Sequence, residues 1–305
     1  MSSKARACCL RSVTPAGFAK LAAASALSLY GVVLTGAAVR LTGSGLACQS
    51  WPGCQKGAFF PAIGEHSTIE FGNRVFALLP IVLSLLTWIV SRKTPGLGRW
   101  VVWTSALVFL GTIAQAPLGL LTIRLDLHPL MVATHFLLAL VVLGGAMVVA
   151  VEAWGNARGR VPSPAPMWLK LAGLVLAGAC GVLVVTGTLS TAAGPHPGDS
   201  AEIKRFWNLL DAVWLHVRAT AAFGIAFLLL LGWLARNRER AGVLVPGAVV
   251  LLVLLLVQMT VGELQYRNQL PWWLVLIHVG LAAAVWAWTV GLVTALWRTP
   301  RTMTR

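Results

Sequence analysis

Charge is what this sequence has least of. Only 11% of its 305 residues are Asp, Glu, Lys or Arg, while 58% are hydrophobic and the mean hydropathy is +0.80. A composition so poor in charge excludes an ordinary soluble domain. Acids are scarcer still, nine against 24 Lys and Arg. A net charge of +15 would suit a nucleic-acid partner, but its distribution follows membrane orientation instead. The short basic N-terminal tail lacks a small-residue cleavage site, so the first apolar run reads as a retained helix and not a removed signal peptide. Cysteine is sparse: Cys8 and Cys9 lie in the tail, Cys180 lies inside the fifth apolar run, and only Cys48 and Cys54 share a loop. An oxidising exterior permits a disulfide between them, five intervening residues are enough to close one, and "SWPG" sets a turn within the loop.

What is abundant is apolar runs of bilayer length, about 20 residues each. They lie near 17–39, 70–90, 100–122, 130–151, 167–189, 212–234, 242–263 and 272–296. Eight helices put both chain ends on one side. Sixteen basic residues fall on the side of the termini with only Glu152 and Glu239, whereas eight fall on the other side with seven acids. The positive-inside rule therefore predicts cytoplasmic termini and an outside loop carrying Cys48 and Cys54, in a bacterial-type cell membrane.

An internal repeat divides these helices. Gln115 and Gln258 differ by 143 residues, as do Gly119 and Gly262, and His135 in "THF" falls on His278 in "IHV". The same offset carries Asn73 to His216, and Thr35-Gly36 matches Thr186-Gly187 at an offset of 151. The expected organisation is all-α: a tail (1–16), a four-helix half (17–152), a Pro-rich linker (153–166, containing "GRVPSPAP"), a second four-helix half (167–297) and a tail (298–305). Two pseudo-symmetric bundles follow, with the matched polar letters at one depth below the outer face.

His216 and His278 are then two imidazoles from different helices at equal depth, an arrangement that grips a haem iron from both sides. A zinc site would need further close ligands, and the helical neighbours here are Ala, Val, Leu, Gly and Trp. Arg40, Arg74, Arg218 and Arg267 are candidates for haem propionates, or snorkel to the membrane edge. In the first half His135 keeps its place while Asn73 stands at the partner position, and an amide is a poor iron ligand. Glu70, three residues before Asn73 on the same helix face, could stabilise developing positive charge or move protons. His66 and His128 lie seven residues outward of Asn73 and His135, a minor candidate pair roughly 10 Å higher. Pro129 alternatively makes His128 a cap or loop residue.

"GAAVRLTGSGLACQSWPGC" at 36–54, "IEFGNR" at 69–74 and His135, His216 and His278 resemble the haem A synthases, CtaA-type membrane enzymes that oxidise haem O. The resemblance spans all eight helices. It implies oxidation of the C8 methyl group of haem O to a formyl group, making haem A for cytochrome oxidase. It further implies a haem b cofactor on His216 and His278, and substrate haem in the amino-terminal half at His135 with Glu70 assisting the cationic intermediate. The Cys48 and Cys54 pair would serve haem transfer or redox coupling. Asn73 departs from the family's Glu-x-x-His, as in one sub-branch, and "TAAGPHPGD" lacks the second cysteine pair of some members. The implied partners are a haem O synthase, an electron acceptor and membrane lipid. Two other readings stand beside it: a bis-His electron carrier linked to quinone, which shares His216 and His278 but would need no half-empty second site, and a haem- or lipid-handling permease that uses the amino-terminal half as a docking chamber.

Overall fold

The computed structural model describes residues 13–159, 161–162, 165–199 and 205–299. Eight helices are long and apolar enough to cross a membrane, as a multi-pass membrane protein requires: α1 Pro15–Leu41, α2 Glu65–Ser91, α3 Arg99–Arg124, α4 Pro129–Ala157, α5 Met167–Ala192, α6 Leu209–Arg236, α7 Gly242–Arg267 and α8 Trp272–Leu296. Most overrun their apolar runs by a few polar residues. Helix α4 reaches Ala157, past the expected limit at 151, because "EAWGNA" continues the turn until Arg158 ends it. Among the described residues the remaining regular pairing is small: Val161 with Thr299, Pro162 with Arg298, and a bridge from Gln55 to Ala58.

Local chemistry sets the helix ends. Thr14 Oγ1 accepts from Gly17 N–H ahead of Pro15, and Asn208 Oδ1 accepts from the first amides of α6. Helix α2 is interrupted for one residue at Ala77, between Glu65–Phe76 and Leu78–Ser91. Pro80 explains the break: it has no N–H for the Phe76 carbonyl one turn earlier.

Helices α1 to α4 close one ring of neighbours and α5 to α8 another, and the rings meet through α1, α4, α5 and α8. At that seam Tyr30 Oη donates to the Gly280 carbonyl and Trp286 Nε1 to the Leu140 carbonyl. The turns ending the third helix of each ring share a form. Asp126-Leu127 and Gln269-Leu270 both have positive φ, and Leu127 N–H and Leu270 N–H bond back to the carbonyls of Thr122 and Gln265. All three matches are 143 residues apart. Two successive left-handed non-glycine residues are uncommon enough to make this recurrence informative.

Above α1, the loop to α2 is tied to the loop between α5 and α6. Arg40 donates to the carbonyls of Thr191 and His196, and Gly45 N–H donates to the Gly198 carbonyl at 2.8 Å. A side chain at Gly45 would meet that oxygen, so close approach explains this glycine.

Candidate functional site

In the second ring, α6 and α8 bring His216 and His278 together with ring centroids 6.5 Å apart and planes at 77°. Two imidazoles on one metal have centroids about 6 Å apart, given metal–nitrogen bonds of about 2 Å on either side. Glycines make room for both rings: a Cβ on Gly187 or Gly262 would stand 2.9 Å from Cε1 of His216 or His278. Thr186 Oγ1 donates to the Leu183 carbonyl and lies 3.2 Å from His216 Nδ1. Since the hydroxyl proton is used, Oγ1 accepts from Nδ1–H, which leaves the Nε2 lone pair of His216 for a metal. The Gln258 amide nitrogen lies 3.2 Å from His278 Nε2, marking the lone pair on that ring. His278 Nδ1 and Gln258 Oε1 are buried without partners. The spacing of the rings and the two Nε2 lone pairs fit a haem iron held between them, in the place where the Gln258 amide now meets His278.

The corresponding positions of the first ring surround a cavity of about 560 Å³, within the usual range for small-molecule sites, roughly 300–1,000 Å³. Glu70, Asn73, Arg74, Gln115, Gly119 and His135 line it, together with Gly36, Arg40 and apolar side chains of α1 to α4. Thr188, Thr191, Pro197 and Gly198 close one wall from the other half. The supporting contacts recur. A Cβ on Gly36 would stand 4.0 Å from Asn73 Oδ1 and one on Gly119 3.4 Å from His135 Cε1, while Thr35 Oγ1 donates to Asn73 Oδ1 at 2.7 Å. Here, however, His135 Nδ1 and both amide atoms of Gln115 have no hydrogen-bond partner.

Glu70 is 4% exposed and forms a clamp at the cavity edge. One carboxylate oxygen accepts from Cys48 N–H at 2.7 Å, and the other pairs with Arg74 one turn on. Arg74 also donates to the carbonyls of Ser50 and Gly53. Cys48 and Cys54 form a disulfide, so carboxylate and guanidinium together hold the closed loop against α2. Arg74 thus serves the loop and Arg40 the seam between halves, and both also line the cavity.

Arg267 pairs with Glu263 on the exposed surface and Arg218 stacks on Trp214, and neither lines the cavity. His66 Nδ1 hydrogen-bonds Ser44 Oγ, His128 is the residue before α4, and both lie outside the cavity lining. Among the described residues there is no cluster of three or more His, Cys, Asp or Glu side chains that could hold a metal ion. Two groups went unrecognised as site residues in the sequence. Gln115 was visible only as a repeat marker, and Thr186, in the repeated Thr-Gly pair, fixes the ring of His216.

A family model described as COX15-CtaA, cytochrome oxidase assembly protein, matches residues 19–67 and 65–290. A haem A synthase of Symbiobacterium thermophilum is 30% identical over 273 residues, which cover 83% of this chain and 87% of that protein. The haem A synthases of Bacillus pumilus (29% over 141 residues, 45% of each chain) and Bacillus licheniformis (32% over 120 residues, 38% of each) are matched over less than half their length.

Proposed function

Given that the chain belongs to the COX15-CtaA family of cytochrome oxidase assembly proteins, we propose that it is a haem A synthase, a membrane oxidoreductase that converts the C8 methyl group of haem O into a formyl group. The observation that carries this reading is the inequality of the halves: a facing imidazole pair in one, a lined cavity with a single imidazole in the other. A protein that only relays electrons needs the pair and has no use for the cavity. The full-length relative named haem A synthase supports the same assignment.

In this reading the halves 17–152 and 167–297 are pseudo-symmetric bundles, supported by the recurring turns and glycine contacts. His216 and His278 hold a resident b-type haem, which when bound supplies one-electron transfer. Substrate haem O occupies the first-half cavity with His135 toward its iron. Asn73 faces the same space without binding iron, which leaves that side open. Glu70 sits at the cavity edge with its charge balanced by Arg74, and contributes negative potential where positive charge develops on the substrate. The Cys48–Cys54 loop, fastened by Glu70 and Arg74, keeps water from the cavity edge. Both termini are cytoplasmic, the loop is outside in the cell membrane, and a haem O synthase and an electron acceptor are the functional partners.

The test is co-expression with a haem O source and chromatography of the extracted haems. The wild-type protein should yield the aldehyde haem. His135→Ala should abolish it while retaining the low-spin spectrum of the resident haem. A wild-type protein that shows that spectrum but forms no oxygenated haem would be an electron carrier.

A further inference from the structure

Gln115 is a polar residue of the cavity lining that neither the imidazoles nor the loop clamp engages. Gln115 lies on α3, four residues before Gly119, and so on the same helix face as the glycine that backs His135. Gln115 is one of the residues lining the cavity, and its amide oxygen and nitrogen are buried and have no partner in the protein. Of the other polar lining groups, several are committed. Asn73 Oδ1 accepts from Thr35, both Glu70 oxygens are occupied by the Cys48 amide and Arg74, Arg40 binds carbonyls across the seam, and Thr112 Oγ1 donates within its own helix. Gln258, the equivalent of Gln115 in the second half, uses its amide on His278. A fully unpaired buried amide is costly, and native interiors rarely keep one without a use.

We propose that Gln115 is a specificity-determining residue of the first-half cavity, and that its amide hydrogen-bonds the oxygen that oxidation places on the substrate's methyl carbon. This rests on the haem-oxidising reading above and names the group that recognises its products. A methyl group offers neither donor nor acceptor, a hydroxymethyl group offers both, and a formyl group accepts. A primary amide has two donors and an acceptor, so it complements both oxygenated forms and gains nothing from the methyl. The difference in binding retains the half-oxidised alcohol in the cavity until the aldehyde is formed.

The experiment titrates the purified full chain, with its resident haem in place, with haem O and separately with haem A. Gln115→Leu keeps the volume and removes the hydrogen bond. It should weaken haem A binding about fivefold, the effect of one ordinary hydrogen bond, and leave haem O binding unchanged. In co-expression the same variant should raise the ratio of alcohol to aldehyde haem. Gln115→Asn stays polar and withdraws the amide by one methylene, so it should lose the same discrimination if the Leu variant folds poorly, as judged by resident haem absorbance. Either folded variant binding both haems as the wild type does, or weakening both equally, would overturn the assignment. Wild-type membranes that make no oxygenated haem would defeat the enzymatic reading, whereas the selectivity of the titration decides Gln115 by itself.

Discussion

His216 and His278 stand ring to ring with centroids 6.5 Å apart, and a Cβ on the glycine behind each would stand 2.9 Å from its Cε1. His135 and Asn73 occupy the matching positions in the other half, with looser glycine contacts and a cavity of about 560 Å³. The supporting threonines, glutamines, glycines and turns are the same kinds in both. At matching sequence positions, one half thus sets two imidazoles ring to ring and the other sets one imidazole and an amide beside a cavity.

The largest expected effect comes from removing the pair. His278→Ala should eliminate the low-spin absorbance of the purified protein along with all haem A formation, whereas His135→Ala should eliminate only the product. Equal loss of absorbance in both would erase the distinction between halves. Next is the clamp: Arg74→Ala strands the buried Glu70 carboxylate, a loss of about 3–5 kcal/mol in a thermal or denaturant unfolding measurement. Glu70→Gln, which keeps the shape, should cost less, so the reverse order would mean that the pair does not hold the loop. The glycines supply a graded test. Alanine at Gly187 or Gly262 should displace an imidazole, costing about 1–3 kcal/mol and shifting the haem spectrum, while alanine at Gly36 should be tolerated. Asn73→His should convert the first half toward the second, raising haem retention per protein while slowing turnover; unchanged retention would mean that position 73 does not face the substrate iron. Smallest is Arg267→Ala, an exposed pair worth under about 1 kcal/mol, which should leave haem content and product as they are.

All eight helices were legible in the sequence because a bilayer-length apolar run is a strong, local signal, and their ends were less so. Glu65 to Ile69 extends α2 outward with polar residues that hydropathy alone assigns to a loop. The repeat was read from matched polar letters, Gln and His, which are rare in such runs, and two turns 143 residues apart share positive-φ geometry. The destination of the arginines was not legible. Arg40 and Arg74 find main-chain carbonyls of loops, and carbonyl positions leave no mark in sequence. For the same reason Glu70 was readable as a residue of the site but not as the group that fastens the Cys48 amide.

The interruption of α2 at Ala77 has a mechanical consequence. The twelve residues from Glu65 to Phe76 carry the clamp and Asn73, and the segment below them, from Leu78 to Ser91, packs against α1 and α3. With one main-chain bond missing at Pro80, the cheapest place to bend is between these two pieces. The disulfide loop is fastened to the upper piece through Arg74 and Glu70, and at its other end it runs straight into α1. Loop, carboxylate and Asn73 are thus carried on the piece of α2 beyond the weak point, while His135 stands on a different helix, α4.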